Sequence, residues 1–384
     1  MSRRHRVATA GRVPASSDLV RSELLRLPDR GAGVREFVLG AARVLSRAVH
    51  FDGLCVLTLD PATLLFTSEY TVDCLPPQAR ARMAEIEVRE LDVNRFGALA
   101  RSGRFVATLD ATTGGDLELS MRHRELLAPN GYGDELRAVL ASGSGVWGAL
   151  TLLRGADLPP FAPADVELLT SVRGHLADGL RRAMVLSALS ARPHAEGEAA
   201  GLALLERDNS IALTDAAADR WLSELRREDA TAGVPQVVVA CAARARAIAA
   251  GDTTTGAANA RVRTSSGTWL TVRGSMLRDG VYTAVSFEPA RPHELAPLIA
   301  DAYGLTSRER VVTQLVAQGL STDAIADRLH ISSWTVQDHL KSIFEKVGVS
   351  TRGELVARVY FDHYAPRLTD HAPVGSTGWF ETVI

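Results

Sequence analysis

A dense run of helix punctuation between Leu305 and Val359 constrains the fold of this chain more than any other feature. Thr306-Ser307-Arg308-Glu309 is a T-x-x-E capping box, in which the threonine side chain and the glutamate three residues on satisfy orphan N–H groups at a helix start. Val312, Leu315 and Val316 recur at helical spacing behind it, and Gly319 supplies the left-handed residue that ends a helix. Ser321 caps a second short helix, with Asp323 in its first turn and Ile325 and Leu329 facing inward. His330-Ile331 forms a turn. Ser332 or Ser333 then caps a third helix with the apolar stripe Val336, Leu340, Ile343, Phe344 and Val347, ending at Gly348. A second T-x-x-E box, Thr351 to Glu354, opens a fourth helix carrying Leu355, Val356 and Val359. Four short helices this close together predict a small all-α bundle.

Lysine usage singles out the same stretch. Lys341 and Lys346 are the only lysines in the chain, and both fall in the third helix, whereas arginine serves every other cationic position. A cationic helix of this kind points to nucleic acid. From residue 301 to 360, however, Asp301, Glu309, Asp323, Asp327, Asp338, Glu345 and Glu354 match Arg308, Arg310, Arg328, Lys341, Lys346, Arg352 and Arg358 in number. With no net positive charge, one copy of the bundle should hold non-specific DNA weakly, because phosphate neutralisation dominates that mode. A dimer on two half-sites is the expected remedy.

The ordered elements Thr306-x-Arg308-Glu309-Arg310, Ala317-x-Gly319-x-Ser321, Ile325-Ala326-x-x-Leu329-x-Ile331-Ser332, Thr335-Val336-x-x-His339 and Lys346-x-Gly348-Val349 resemble the DNA-binding domain of LuxR-type transcription regulators. The resemblance implies a four-helix helix-turn-helix (HTH) domain whose third helix enters the major groove. It places Thr335 and neighbouring backbone groups where they would hold phosphate, which helix N-termini suit; His339 reads as a structural or phosphate-side residue, and Ser333 joins the DNA-binding candidates. Gln337, Asp338 and Lys341 would face base edges, and Lys346 completes the set of DNA-binding candidates. The family commonly has lysine where Gln337 stands and an apolar residue where Asp338 stands. Glutamine can pair with adenine, aspartate can accept from cytosine N4 and lysine can donate to guanine, so the preferred sequence is expected to differ. Trp334, in the first turn, either packs on the preceding helix or lies against sugar-phosphate; packing is the expectation. The competing reading of the whole bundle is an interaction scaffold that binds another protein.

The remaining length, within 384 residues of net charge −2, leaves room for two further domains. The absence of lysine before residue 341 excludes a P-loop, a protein-kinase site, a pyridoxal enzyme and a receiver domain, each of which needs one. No nucleophile–base or metal constellation appears, so no enzyme activity and no cofactor are expected. No run approaches the length of apolar chain needed to span a membrane, and no apolar segment follows the basic Met1–Arg6 start, so a cytoplasmic protein is expected. Cys55, Cys74 and Cys241 are odd in number and far apart, which suits buried free thiols.

Residues 18–187 read as one domain after a basic tail, 1–17. A helical pattern (Leu24, Leu25, then Phe37, Val38, Ala41, Val44, Leu45) leads to a strand from Phe51 to Asp60, with Phe66 to Tyr70 as its hairpin partner. Glu135–Leu140 and Val146–Arg154 are adjacent strands around Gly143-Ser144-Gly145, and Phe161-x-x-x-Asp165 opens a long helix through Leu168, Leu169, Val172, Leu176 and Leu180. This order, with Trp147-Gly148-x-Leu150 in its late strand, resembles a GAF domain. The resemblance implies a small-molecule effector held between sheet and helices, or a dimerisation surface. Asn94-Arg95-Phe96 is similar to part of a cyclic-nucleotide signature, but the spacing from Phe105 to Asp110 departs from it. His50 and His123 are the candidate haem ligands, with structural histidines as the default.

A polar, Pro/Gly-bearing linker, 188–200, precedes a second domain at 201–290. Its strand pair around Asp208-Asn209, helices at Ala216–Leu225 and Val237–Ala250, and three later strands (Ala260–Thr264, Trp269–Arg273, Val281–Glu288) follow the order of a PAS-like fold. A linker, 291–300, the HTH domain, 301–362, and a tail, 363–384, complete the expected multidomain α+β chain. Its expected partners are double-stranded DNA, a second copy, an effector and RNA polymerase. The N-terminal domains are expected to control DNA binding by altering dimer geometry or by covering the third helix.

Overall fold

The computed structural model describes residues 17–27, 33–143, 145–189, 199–226, 233–252, 256–278, 280–291, 294–295, 298 and 303–358. The two tails and most of the linker at 188–200 lie outside the described residues. The first domain is built on β1 (Gly53–Leu59), β2 (Phe66–Val72), β3 (Val106–Thr108), β4 (Tyr132–Ser142) and β5 (Gly145–Gly155), antiparallel in the order β2-β1-β5-β4-β3. Every position of β1 is buried, which explains its unbroken apolar run: both faces of the sheet are covered.

One face carries Leu54, Val56, Leu136, Ala138, Leu150 and Leu152 against α1 (Ser17–Arg26), α2 (Val34–Leu45) and α6 (Pro163–Leu189). Leu168, Leu169, Val172, Leu176 and Leu180 of α6 belong to this core, so the stripe on the closing helix serves its own sheet. Gly148 permits the fit, since a Cβ there would stand 2.6 Å from the Leu57 carbonyl oxygen. The opposite face lies under α3 (Ala79–Val88), α4 (Phe96–Ser102) and α5 (Leu109–Thr113). This is the GAF-like arrangement the strand order and Trp147-Gly148 predict, with β3 as a strand the sequence analysis did not identify.

Beneath α3–α5, charged side chains fill the interior. Arg122 is 0% exposed and donates to Asp92 (2.9 Å) and Glu135 (2.6 Å); Arg137 donates to Glu135 (3.0 Å) and Glu87 (2.6 Å). Burial opposes charge on Glu135, but the two arginines outweigh it and hold its carboxyl below the usual range.

The second domain has β6 (Gly201–Leu205), β7 (Ile211–Thr214), α7 (Ala216–Leu225), α8 (Gln236–Ala249), β8 (Asn259–Arg263), β9 (Trp269–Met276) and β10 (Thr283–Pro289). Its order, β7-β6-β10-β9-β8, repeats that of the first sheet. Every residue of α8 from Val237 to Ala247 is buried, so the helix is covered on every side. It packs on β9, where a Cβ on Gly274 would lie 2.8 Å from the Cys241 carbonyl carbon, and also on α3 and β2 of the first domain. One apolar core therefore spans both domains. Two buried ion pairs join them: Arg246 to Glu85 at 2.5 Å, and Arg261 to both oxygens of Asp60 at 2.7 and 2.8 Å. The two domains on either side of the linker at 188–200 thus pack against each other.

Part of the expected linker at 291–300 lies among the described residues. Glu294, Leu295 and Leu298 are helical, and both leucines are buried with Trp147, Trp269 and Leu305 in the core that continues into the C-terminal bundle. Cys55 and Cys241 are buried free thiols, while Cys74 is half-buried.

Candidate nucleic-acid interface

The C-terminal bundle consists of α9 (Ser307–Ala317), α10 (Thr322–Leu329), α11 (Ser333–Val347) and α12 (Arg352–Val356). The Thr306–Glu309 capping box is present in full: Thr306 accepts from the Glu309 N–H at 3.3 Å and the Glu309 carboxylate accepts from the Thr306 N–H at 2.7 Å. Gly319 and Gly348 are left-handed, as their positions require, and His330 is the left-handed residue that ends α10. In the third helix the cap is Ser332, whose hydroxyl accepts from the Thr335 N–H at 3.1 Å. Ser333 instead donates to Asp323 at 2.6 Å, a contact that ties α11 to α10.

Val336, Leu340, Ile343 and Val347 of α11 are buried, which turns the opposite stripe outward. Gln337, Asp338 and Lys341 on that stripe are exposed; Thr335 and His339 beside it are half-buried. The described residues of the N-terminal domains leave these three side chains open. The Thr335 hydroxyl shares a 2.8 Å hydrogen bond with Ser332. Trp334 is 73% exposed, and the packing on the preceding helix expected for it is corrected.

The two lysines divide. Lys341 has no ion-pair partner among the described residues. Lys346 donates to both carboxylate oxygens of Glu309 at 2.7 Å, and Ser342 donates to the same group at 2.7 Å. Burial opposes ionisation of Glu309, but Lys346, the Thr306 amide and Ser342 prevail and hold its carboxyl down to about 2. One carboxylate thus closes a helix cap and fixes the tilt of α11 against α9. No local pattern signals this pairing, since Glu309 lies on a different helix from Lys346 and Ser342. Arg308 and Arg352 are likewise used internally, donating to the carbonyls of Leu329 and Leu320 at 3.0 Å each.

Elsewhere, His50 is exposed beside Asp52 and His123 is buried in the first domain. No group of His, Cys, Asp and Glu suited to a metal ion occurs among the described residues, and none of the described helices is long and apolar enough to cross a membrane.

A capped tri-helical core with its third helix exposed along one polar stripe defines a helix-turn-helix domain. Residues 304–359 match the family described as bacterial regulatory proteins, luxR family, and this segment is a LuxR-type HTH domain. Among curated relatives, the transcriptional regulatory protein DesR of Bacillus subtilis is 40% identical over 67 residues, covering 17% of this chain and 34% of that protein. The monoamine regulon transcriptional regulator of Klebsiella aerogenes is 45% identical over 56 residues, 15% of this chain and 25% of that protein. The chain therefore spans about a third or less of the length of these relatives. Among solved structures, the GAF domain/HD domain protein from Geobacter sulfurreducens aligns with 42% of this chain and 98% of its own at 21% identity, with a TM-score of 0.31.

Proposed function

We propose that the chain is a transcription regulator that binds double-stranded DNA through α11. The observation carrying this is the exposed stripe Gln337, Asp338 and Lys341 on the third helix of a LuxR-type domain. Thr335 and His339 flank the groove-facing stripe on the phosphate side; Lys346 and Ser333, engaged with Glu309 and Asp323, act by holding the helix in place. Balanced charge calls for a second copy, and residues 18–187 and 201–290 (GAF-like and PAS-like), ahead of the HTH domain at 301–362, provide the surface for dimerisation and for RNA polymerase. A gel-shift and footprinting titration tests the interface. Two protected half-sites roughly 10 bp apart are expected, with Lys341→Ala weakening specific binding by about 1–3 kcal/mol. Unchanged affinity would remove Lys341 from the interface, and a single half-site held by a monomer would remove the dimer.

The same reading assigns effector sensing to the paired N-terminal domains. Support comes from a cleft of about 370 Å³ between them, lined by Glu69, Tyr70 and Arg80 of the first and Leu225, Pro235 and Gln236 of the second. Its volume lies in the range of small-molecule sites, whereas the space under α3–α5 is taken up by the Arg122–Glu135–Arg137 network. Gln236 donates to Glu69 at 3.4 Å, which turns its Oε1 away, buried and without a partner among the described residues. A small polar ligand fits this lining, which carries the Glu69 carboxylate and the Arg80 guanidinium. Ala81→Trp, which fills the cleft, is expected to abolish the thermal shift that the small-molecule fraction of a cell extract gives the unmodified chain. An equal shift in both would place the effector elsewhere.

A further inference from the structure

We infer that Trp334 is a DNA-contacting residue whose indole packs on a deoxyribose of the backbone beside the start of α11. The inference rests on the reading of residues 304–359 as a DNA-binding domain. Trp147 and Trp221 are 1% and 2% exposed, as expected for side chains that each bury about 150–250 Å² when packed. Trp334, at 73% exposure, has no comparable packing among the described residues. An aromatic surface of this size held open to water is a binding surface in the free protein.

Its position names the occupant. Residues 334, 337, 338 and 341 follow the i, i+3, i+4, i+7 spacing of one helical face, so Trp334 shares a stripe with Gln337, Asp338 and Lys341 and stands at its N-terminal end. Helical side chains lean toward the N-terminus, which carries the indole over the first turn, next to the Ser332 cap. A partner that covers this stripe meets an amide, a carboxylate and a lysine with no ion-pair partner among the described residues, a set suited to groove edges and phosphate rather than to an apolar protein surface. Within duplex DNA the bases are stacked on one another, so the apolar surface an indole meets at the groove margin is the sugar.

The contact also answers the charge problem of the module. Acids and bases balance between residues 301 and 360, and Lys346 is neutralised by Glu309. Little attraction remains from phosphate neutralisation, and a sugar–indole contact supplies affinity that releases no counterions. Its signature is therefore a loss of binding that is independent of both salt and sequence.

The full chain and its Trp334→Ala, Trp334→Phe and Lys341→Ala variants are titrated on a duplex selected from a random pool and on an unselected duplex, from about 50 to about 200 mM salt. Trp334→Ala is expected to bind both duplexes about 5- to 30-fold more weakly with an unchanged slope of log affinity against log salt, and Trp334→Phe to recover part of the loss. Lys341→Ala, at a base-facing position, should instead lose affinity chiefly on the selected duplex. Because Trp334 is exposed, the melting temperature of its variants should match that of the parent, which separates lost contact from lost fold. Affinity within about twofold of the parent, a changed slope, or a loss confined to one duplex overturns the inference, as does an altered oligomeric state with unaltered DNA binding. If the parent chain binds neither duplex, the DNA-binding reading fails and this inference with it; parent binding with an unaffected Trp334→Ala overturns this inference alone.

Discussion

Replacing Arg122 with alanine is expected to destabilise the first domain by about 3–5 kcal/mol, the cost of leaving buried charge uncompensated. The guanidinium is 0% exposed and serves Asp92 and Glu135, themselves 0% and 1% exposed at the side chain. Its removal leaves Asp92 without its arginine and Glu135 with Arg137 alone, while Glu87 still draws on Arg137. Three carboxylates would then share one cation in a region closed to water. Such a loss is a large fraction of the stability of an ordinary domain, and the core shared with α8 spreads the damage into the second domain. Arg122→Lys, which keeps the charge but cannot span both carboxylates, should fall between the two. Hydrogen exchange resolved along the chain is the measurement: protection of β4, β5 and α3 should collapse in Arg122→Ala while α9–α12 keep theirs. Parent-like protection in β4 would show that the network contributes no net stability.

Glu309 carries the second large effect, in the HTH domain. Glu309→Ala removes one half of the capping box, the Lys346 ion pair and the Ser342 hydrogen bond together, and is expected to cost on the order of 2–4 kcal/mol. The folded carboxyl titrates at about 2 against an ordinary value of 4.5, so its contribution is full above roughly pH 5 and falls as acid is added. It is gone once the pH drops through about 2, where folded and unfolded forms are both protonated. Denaturant titrations between these limits should show the parent losing stability steeply and Glu309→Gln, which has no charge to lose, changing less. Equal pH dependence in the two would place the acid sensitivity elsewhere. DNA affinity at neutral pH should fall as well, because the same carboxylate fixes the tilt of α11.

What could be read along the chain was set by neighbours in sequence. The Thr306–Glu309 capping box, the Thr351 cap, the glycines at 319 and 348, the Gly143–Gly145 hairpin and the period of Val336, Leu340, Ile343 and Val347 are interactions within a turn or two, and they determined the helices, the hairpins and the exposed face of α11. The Ser332-or-Ser333 ambiguity shows the limit of that range. Both serines satisfy the capping preference, and only the position of Asp323 on another helix commits Ser333 to a different bond.

The roles of charged and aromatic side chains depended on what the fold brought against them. Lysine composition drew attention to Lys341 and Lys346 alike, yet packing of α9 on α11 consumed the second and left the first exposed. Arg122, Glu135 and Arg137 look like surface residues by composition, and a sheet covered on both faces made them interior. Asp60 and Arg261, or Glu85 and Arg246, lie far apart in the chain, so no local pattern could reveal that the two α/β domains share one core. The sequence by itself determined that a LuxR-type helix-turn-helix follows two α/β domains, because local hydrogen bonding and apolar periodicity are written residue by residue. Tertiary structure alone decided which charges are buried, which helix face stays open and where a cleft remains, because desolvation and ion pairing act between residues that meet only after the chain has folded.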